Sequence, residues 1–186
     1  MFEFKIIAGE LKGKVIKTPD MGITRPPLSR LRKSIFDFLN PYLDNSNYLD
    51  LFSGTGSYLF EAVSRYASRC VGVELEKKLA ESINKQADKM GVDDRLKCFC
   101  DDVFTAIPKL NQQKSIFDVI MIAPPQYKGI IDKILKILKA NPLYHDDTII
   151  VCQHDSSETK KIEFGDFEIS QQRKYGNTTF TILKDK

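Results

Sequence analysis

Two acids flank a glycine-bearing loop in this chain, Asp50 before Gly54 and Gly56, and Glu74 20 residues beyond Gly54. Asp50 ends an apolar run that begins at Tyr48, and a helical pattern follows the loop Leu51-Phe52-Ser53-Gly54-Thr55-Gly56. Such a run suits a buried parallel strand, and glycine lets backbone approach a ligand where a Cβ would obstruct it. The loop is expected to face a ligand. A dinucleotide fingerprint needs a third glycine three residues after the second, and that position is Leu59. Asp50 would also repel a pyrophosphate, whereas it could serve a cation through water or backbone amides. Cys70-Val71-Gly72-Val73-Glu74 is a second apolar run ending in an acid. There one carboxylate can accept both hydroxyls of a ribose, unless Glu74 only opens the next helix.

The stretch Asp50-Leu51-Phe52-Ser53-Gly54-Thr55-Gly56 resembles motif I of the Rossmann-like S-adenosylmethionine methyltransferases, and Glu74 matches their ribose carboxylate. The resemblance implies S-adenosylmethionine as cofactor. Asp50, Ser53, Gly54 and Gly56 would lie around its methionine end, Glu74 at the ribose and Asp102 at the adenine, with Phe52, Thr55, Leu75 and Val103 among the cofactor-binding residues. Asp102 could equally cap the helix that follows it.

Residues 1–40 carry Lys5, Lys12, Lys14, Lys17, Arg25, Arg30, Arg32 and Lys33 against Glu3, Glu10, Asp20 and Asp37, an excess of bases larger than the +3 of the whole chain. A run of this kind is usually a solvated face. Its wording, however, resembles a narrower family. Ile6-Ile7-Ala8-Gly9-x-x-Lys12-Gly13, Arg25-Pro26-x-x-x-Arg30-x-Arg32 and Ile35-Phe36, with Glu61-Ala62, Ser64-Arg65 and Tyr175-Gly176-Asn177, are similar to the bacterial enzymes that methylate the exocyclic N2 of a guanine in 16S ribosomal RNA. This implies small-subunit ribosomal RNA, or the assembling 30S particle, as partner, with phosphates held by Lys12, Lys14, Arg25, Arg30, Arg32 and Lys33. Lys12, Pro27, Ser29 and Lys33 stand where that family usually has Arg, Thr, Asp and Glu. The last two departures raise positive charge, which suits phosphate contact.

The apolar run 115–122 delivers Ala123-Pro124-Pro125-Gln126-Tyr127. Methyltransferases of exocyclic amines carry Asp or Asn, Pro-Pro and an aromatic residue at this place. An aromatic amine is a poor nucleophile until acceptors draw charge toward its nitrogen and the methyl donor is aligned with it. Here Ala123 replaces the acceptor and Gln126 the aromatic residue. Three explanations stand: Gln126 supplies the acceptor with Tyr127 stacking, backbone carbonyls suffice, or the protein binds RNA without turnover. The resemblance makes Ala123, Pro124, Pro125, Gln126 and Tyr127 the reacting end.

The elements that must carry these residues follow from periodicity. A hairpin over 4–16 precedes a helix capped by Ser29, with Leu31, Ile35, Phe38 and Leu39 inward and Arg30, Arg32 and Lys33 outward. Helices are expected over 57–67, 76–90 and 130–140, and strands over 95–100, 148–152, 167–170 and 178–183. Alternating strand and helix imply an α/β fold with a parallel sheet and helices on both faces. The methyltransferase resemblance makes that sheet seven-stranded with one antiparallel strand, in one domain over 1–186, of which 1–40 is the basic extension and 41–186 the Rossmann-like core.

The 186 residues can bury a core of their own, and 42% hydrophobic with 28% charged residues is ordinary for a globule. Cys70, Cys98, Cys100 and Cys152 form no C-x-x-C pair, and they read as reduced thiols with no metal site. Without a leader or a long apolar run, the chain is expected to be cytoplasmic, off the membrane and monomeric. His145 and His154 read as structural. From other classes, a non-catalytic ribosome-assembly protein or a DNA adenine-N6 methyltransferase would also use these motifs, though the latter normally needs a further target-recognition segment.

Overall fold

The computed structural model describes residues 1–22, 27–126 and 129–186, so Arg25 and Tyr127 lie outside the described residues. A two-stranded antiparallel hairpin opens the chain, β1 (Phe2–Lys5) with β2 (Val15–Thr18). Helix α1 (Ser29–Leu43) follows, and then strand and helix alternate. They are β3 (Asn47–Asp50), α2 (Ser57–Ser64), β4 (Arg69–Glu74), α3 (Lys77–Met90), β5 (Leu96–Cys100), α4 (Val103–Gln112), β6 (Phe117–Ile122), α5 (Ile130–Ala140) and β7 (Tyr144–Asp155). A 3-10 turn over Ser156–Lys161 leads to β8 (Phe167–Tyr175) and β9 (Thr178–Asp185).

The larger sheet has seven strands in the order β5-β4-β3-β6-β7-β9-β8. Pairing is parallel from β5 to β7, and β9 runs antiparallel to both its neighbours. Chain order therefore reverses between β3 and β6. Both faces of these strands are covered, which is why their sequences read as unbroken apolar runs. Val119 and Met121 join the core on one face with α1 and α2, while Ile120 and Ile122 join the core on the other with α4 and α5. Each is fully buried.

Several expectations needed correction. Leu28, not Ser29, occupies the position before α1, and no side chain caps that helix. Helix α2 stops at Ser64, three residues short of the expected end, because its last turn is occupied by the N-terminal segment. The Ser64 carbonyl accepts the Glu10 N–H at 2.8 Å, and its hydroxyl donates to the Ala8 carbonyl at 2.5 Å and accepts the Leu11 N–H at 3.0 Å. Gly9 lies between, at φ +84°, where a Cβ would stand 1.8 Å from the Ser64 carbonyl oxygen. Only glycine fits there. Strand β7 also extends well beyond 148–152 at both ends.

The largest correction concerns Arg32, expected to face RNA. It is 1% exposed and points inward. Its guanidinium lies 5.2 Å from the centre of the Phe4 ring, 3.5 Å from Glu61 Oε2, and donates to the Lys5 carbonyl at 2.5 Å. Glu61 itself is fully buried in α2, and it collects donors from three directions. Its carboxylate accepts the backbone N–H groups of Ile7 and Ala8, each at 3.1 Å, and Nε and Nη2 of Arg65 at 3.2 and 3.1 Å. Removing one member of such a buried set leaves the others unpaired, at about 3 to 5 kcal/mol. Glu61→Ala is expected to lose about that much in urea unfolding, with a concurrent rise in proteolysis before residue 20.

Candidate functional site

The chain reversal between β3 and β6 opens a crevice at the carboxyl ends of the strands, where ligands of open α/β sheets bind. Asp50 and Met121 pair there, and the Leu51 N–H donates to the Met121 carbonyl at 3.0 Å. The β3–α2 loop and the segment after β6 are therefore side by side. Asp50 is 1% exposed, and its Oδ1 accepts the Phe52 N–H at 3.2 Å while its Oδ2 has no hydrogen-bond partner among the described residues. Burial, reinforced by the nearby Glu74 charge, pushes its carboxyl up to about 7. A buried carboxylate with an orphaned oxygen is costly in isolation and is relieved by a cationic or donor ligand.

The glycines divide the work differently from the sequence expectation. Gly56, at φ +80°, is buried, and a Cβ there would come within 2.7 Å of Ile83 Cγ1. It permits α2 to pack on α3 rather than a ligand to approach. Gly72 plays a similar part, since a Cβ would meet Ser53 Oγ at 2.5 Å. Gly54 is the half-exposed member of the loop, and its N–H donates to Glu74 Oε2 at 2.6 Å. The other oxygen, Oε1, accepts the Glu76 N–H at 2.9 Å. Glu74 thus ties the end of β4 to the β3–α2 loop. Burial raises its carboxyl above the ordinary range. A carboxylate has about four acceptor sites, so both oxygens keep capacity for hydroxyl donors.

Beyond Glu74 the surface turns apolar. Leu75 is 65% exposed and Phe104, which the sequence argument passed over, 38%. Asp102 lies at the rim, where it caps α4 by accepting the Phe104 N–H at 2.8 Å. The cap is formed, and it does not exclude a contact with adenine. Val103 is buried beneath, while Ser53 and Thr55 are buried within the loop and Phe52 is half-buried against the α4–α5 side of the core.

After β6, Ala123 and Pro124 are half-buried, and Pro125 and Gln126 are exposed. Ala123 packs on the same side of the sheet as Val119 and Met121. The register Ile122 with Cys152 sets Ala123 alongside Gln153 of β7 at the next position. Gln153 accepts a hydrogen bond at 2.6 Å from the hydroxyl of Tyr58, in the first turn of α2. Neither residue stands out as functional in the sequence. The one available signal is the polar Gln153 directly after the apolar run 149–152. Pro124, Pro125, Gln126, Gln153 and His154 line a common cavity.

Among the described residues the basic side chains do not form one patch. Arg30 is exposed in the first turn of α1, and exposed Lys33 pairs with Asp37. Lys12 and Lys14 are exposed too, but on the segment docked at the C-terminal end of α2, about 12 Å along that helix from the β3–α2 loop. Arg32 is removed from the set by burial. No cluster of metal-binding side chains occurs among the described residues, and no helix is long and apolar enough to cross a membrane.

Residues 4–184 match the family described as Conserved hypothetical protein 95. The chain is 25% identical over 182 residues to the putative rRNA methyltransferase YlbH of Bacillus subtilis, covering 98% of this chain and 99% of that protein. It is 27% identical over 154 residues to the ribosomal RNA small subunit methyltransferase D of Buchnera aphidicola, covering 83% of this chain and 79% of the relative. Among solved structures, an RNA methyltransferase from Salinibacter ruber in complex with S-adenosyl-L-homocysteine superposes with a TM-score of 0.67 at 18% identity, covering 87% and 94% of the two chains.

Asp50 makes the site's electrostatics measurable. Its folded-state value near 7 lies above the ordinary 3.8, so the folded form holds this proton more tightly than the unfolded chain. Its contribution to stability is present at low pH and is lost as pH rises from about 4 to about 7. Asp50→Asn removes the titration. Denaturant unfolding is expected to show the variant gaining on the wild type across that window and levelling off above it.

Proposed function

The chain belongs to the family described as Conserved hypothetical protein 95, and we propose that it is a methyltransferase that takes S-adenosylmethionine as donor and methylates the exocyclic N2 of a guanine in small-subunit ribosomal RNA. One observation carries the proposal: the β3–α2 loop and the Ala123-Pro124-Pro125-Gln126 segment meet at the chain reversal of the sheet. Resemblance to motif I and to the guanine-N2 enzymes supplies the donor and the target.

The residues present fit the donor. The orphaned Oδ2 of Asp50 suits a cationic or amine-bearing group close to the β3–α2 loop. Glu74 retains acceptor sites for two ribose hydroxyls. Leu75 and Phe104 offer apolar surface for the adenine, with Asp102 at its edge. When bound, S-adenosylmethionine supplies an electrophilic methyl group on a sulfonium. The chain's own work is to hold the amine nitrogen in line with that methyl, exclude water and accept the amine N–H groups. The Pro124 carbonyl and Gln126, at the end of β6, would meet the amine, and the base must leave its helix or loop to reach them. Tyr127 would stack on that base. Arg25, Arg30 and Lys33 would contact phosphates, with Lys12 and Lys14, on the segment at the far end of α2, touching another part of the RNA.

A second reading, an RNA-binding assembly factor without turnover, draws on Ala123, which leaves the usual acceptor position empty. Incubation of unmodified small subunits with methyl-labelled S-adenosylmethionine, followed by nucleoside analysis, separates the two. Label is expected as N2-methylguanosine. Unlabelled RNA from a protein that binds both the cofactor and the subunits would select the assembly factor. In calorimetry Glu74→Ala is expected to weaken S-adenosylmethionine about ten- to a hundredfold, the worth of hydrogen bonds to a charged group. RNA affinity should fall steeply with added salt, and Arg30→Glu should flatten that dependence.

A further inference from the structure

We propose that the hydrogen-bonded pair Tyr58–Gln153 supplies the polar contact that Ala123 lacks, with the Gln153 carboxamide binding the exocyclic amine of the target base and the ring nitrogen beside it. The inference rests on the methyl-transfer proposal and names the group that grips the substrate. Its basis is register. Gln153 follows Ile149 and Val151 on the face of β7 that packs with α1 and α2, and Ala123 follows Val119 and Met121 on the same face of β6. The two residues are therefore lateral neighbours. A side chain at 153 on this face covers ground that an acceptor at 123 would have covered.

Tyr58 fixes which way the carboxamide points. Its ring is 5% exposed, and Gln153 is the one hydrogen-bond partner of its hydroxyl among the described residues. Burial pushes the phenol well above its ordinary range, so it remains a donor throughout the physiological pH span. A buried hydroxyl that must donate, with one acceptor in reach, sets the Gln153 oxygen toward Tyr58 and the amide nitrogen away from it. That oxygen keeps a second lone pair. Acceptor and donor then stand side by side, the complement of an exocyclic amine next to an unprotonated ring nitrogen, the pattern by which a carboxamide reads adenine from its edge. Guanine shows the same pair at N2 and N3, and its N1 edge, which carries a proton, does not. As the amine nitrogen forms its bond to the methyl carbon, the carbon–sulfur bond breaks with its electrons remaining on sulfur. The surplus amine proton passes to water. Positive charge builds on the N–H that faces Gln153, and an oriented acceptor there lowers the barrier.

Gln126 is the competing amide, exposed at the rim of the cavity. The test measures kcat and KM for methyl transfer to unmodified small subunits by the wild type, Gln153→Ala, Tyr58→Phe and Gln126→Ala, with S-adenosylhomocysteine affinity by calorimetry and unfolding midpoints alongside. The proposal expects Gln153→Ala to lose about 100- to 1000-fold in kcat, with cofactor affinity retained, and Tyr58→Phe to lose less. Adding Ala123→Asn to Gln153→Ala is expected to restore turnover, which a merely structural role for Gln153 would not allow. Three results would overturn it: kcat of Gln153→Ala equal to wild type, a loss that follows Gln126→Ala instead, or a failure of Ala123→Asn to rescue a variant that still folds and binds cofactor. Absence of transfer by the wild type would remove the methyltransferase proposal and this one together, whereas transfer that survives Gln153→Ala removes only this one.

Discussion

A single buried carboxylate, Glu61, ties together three pieces of this protein. The N-terminal segment gives it two backbone N–H groups, α1 gives it Arg32, and α2 gives it Arg65 one turn further along. Isolated charges do not survive burial, so each of these groups is tolerable only while the others are present. The mutual requirement holds the opening hairpin against α2, a helix of eight residues. Arg65 extends the set outward to Asp37 at 3.1 Å and lies 5.7 Å from the Phe36 ring, so α1 is held twice. That matters for the site because α2 begins where the glycine loop ends. A helix anchored at its middle and its end presents its first turn, with Tyr58 and the loop before it, in one place.

The same network explains why part of the molecule was legible in the sequence and part was not. Apolar runs such as 117–122 declare a buried strand by composition, and the alternation of such runs with helical patterns declares the sheet. Asp50 and Glu74 could be located because each ends such a run. Arg32 could not be placed. At the level of spacing it is one more base beside Arg30 and Lys33, and only the fold brings Glu61 and Phe4 to it. Gly56 likewise looks like part of a ligand loop in sequence and Gly9 like part of a simple hairpin turn, yet each is small to make room for protein, Ile83 in one case and Ser64 in the other. Local pattern reports what a residue type permits, and long-range packing selects among the permissions.

Gln153 shows the limit from the other side. Its neighbour Ala123 is 30 positions away, and nothing between them marks the relation. Parallel register creates it, with Met121 opposite Val151 and Ile122 opposite Cys152. A slip of one residue would turn every side chain of β7 to the other face of the sheet and bring the wrong group beside Ala123. The fold guards against that slip. Six consecutive pairs of β7 with β9 run from Ile150 with Leu183 to Asp155 with Thr178, and His154, buried at the end of β7, binds the Asp155 carbonyl and the Thr181 hydroxyl, each at 2.9 Å. The structural part expected of His154 is thus to pin the strand that carries Gln153. The antiparallel insertion of β9 between β7 and β8 thereby bears on the chemistry at the crevice: it holds the far edge of the strand that carries Gln153, and α2, held by Glu61, brings Tyr58 to meet it. A polar contact absent at one strand end can be made up from the next only where both constraints hold.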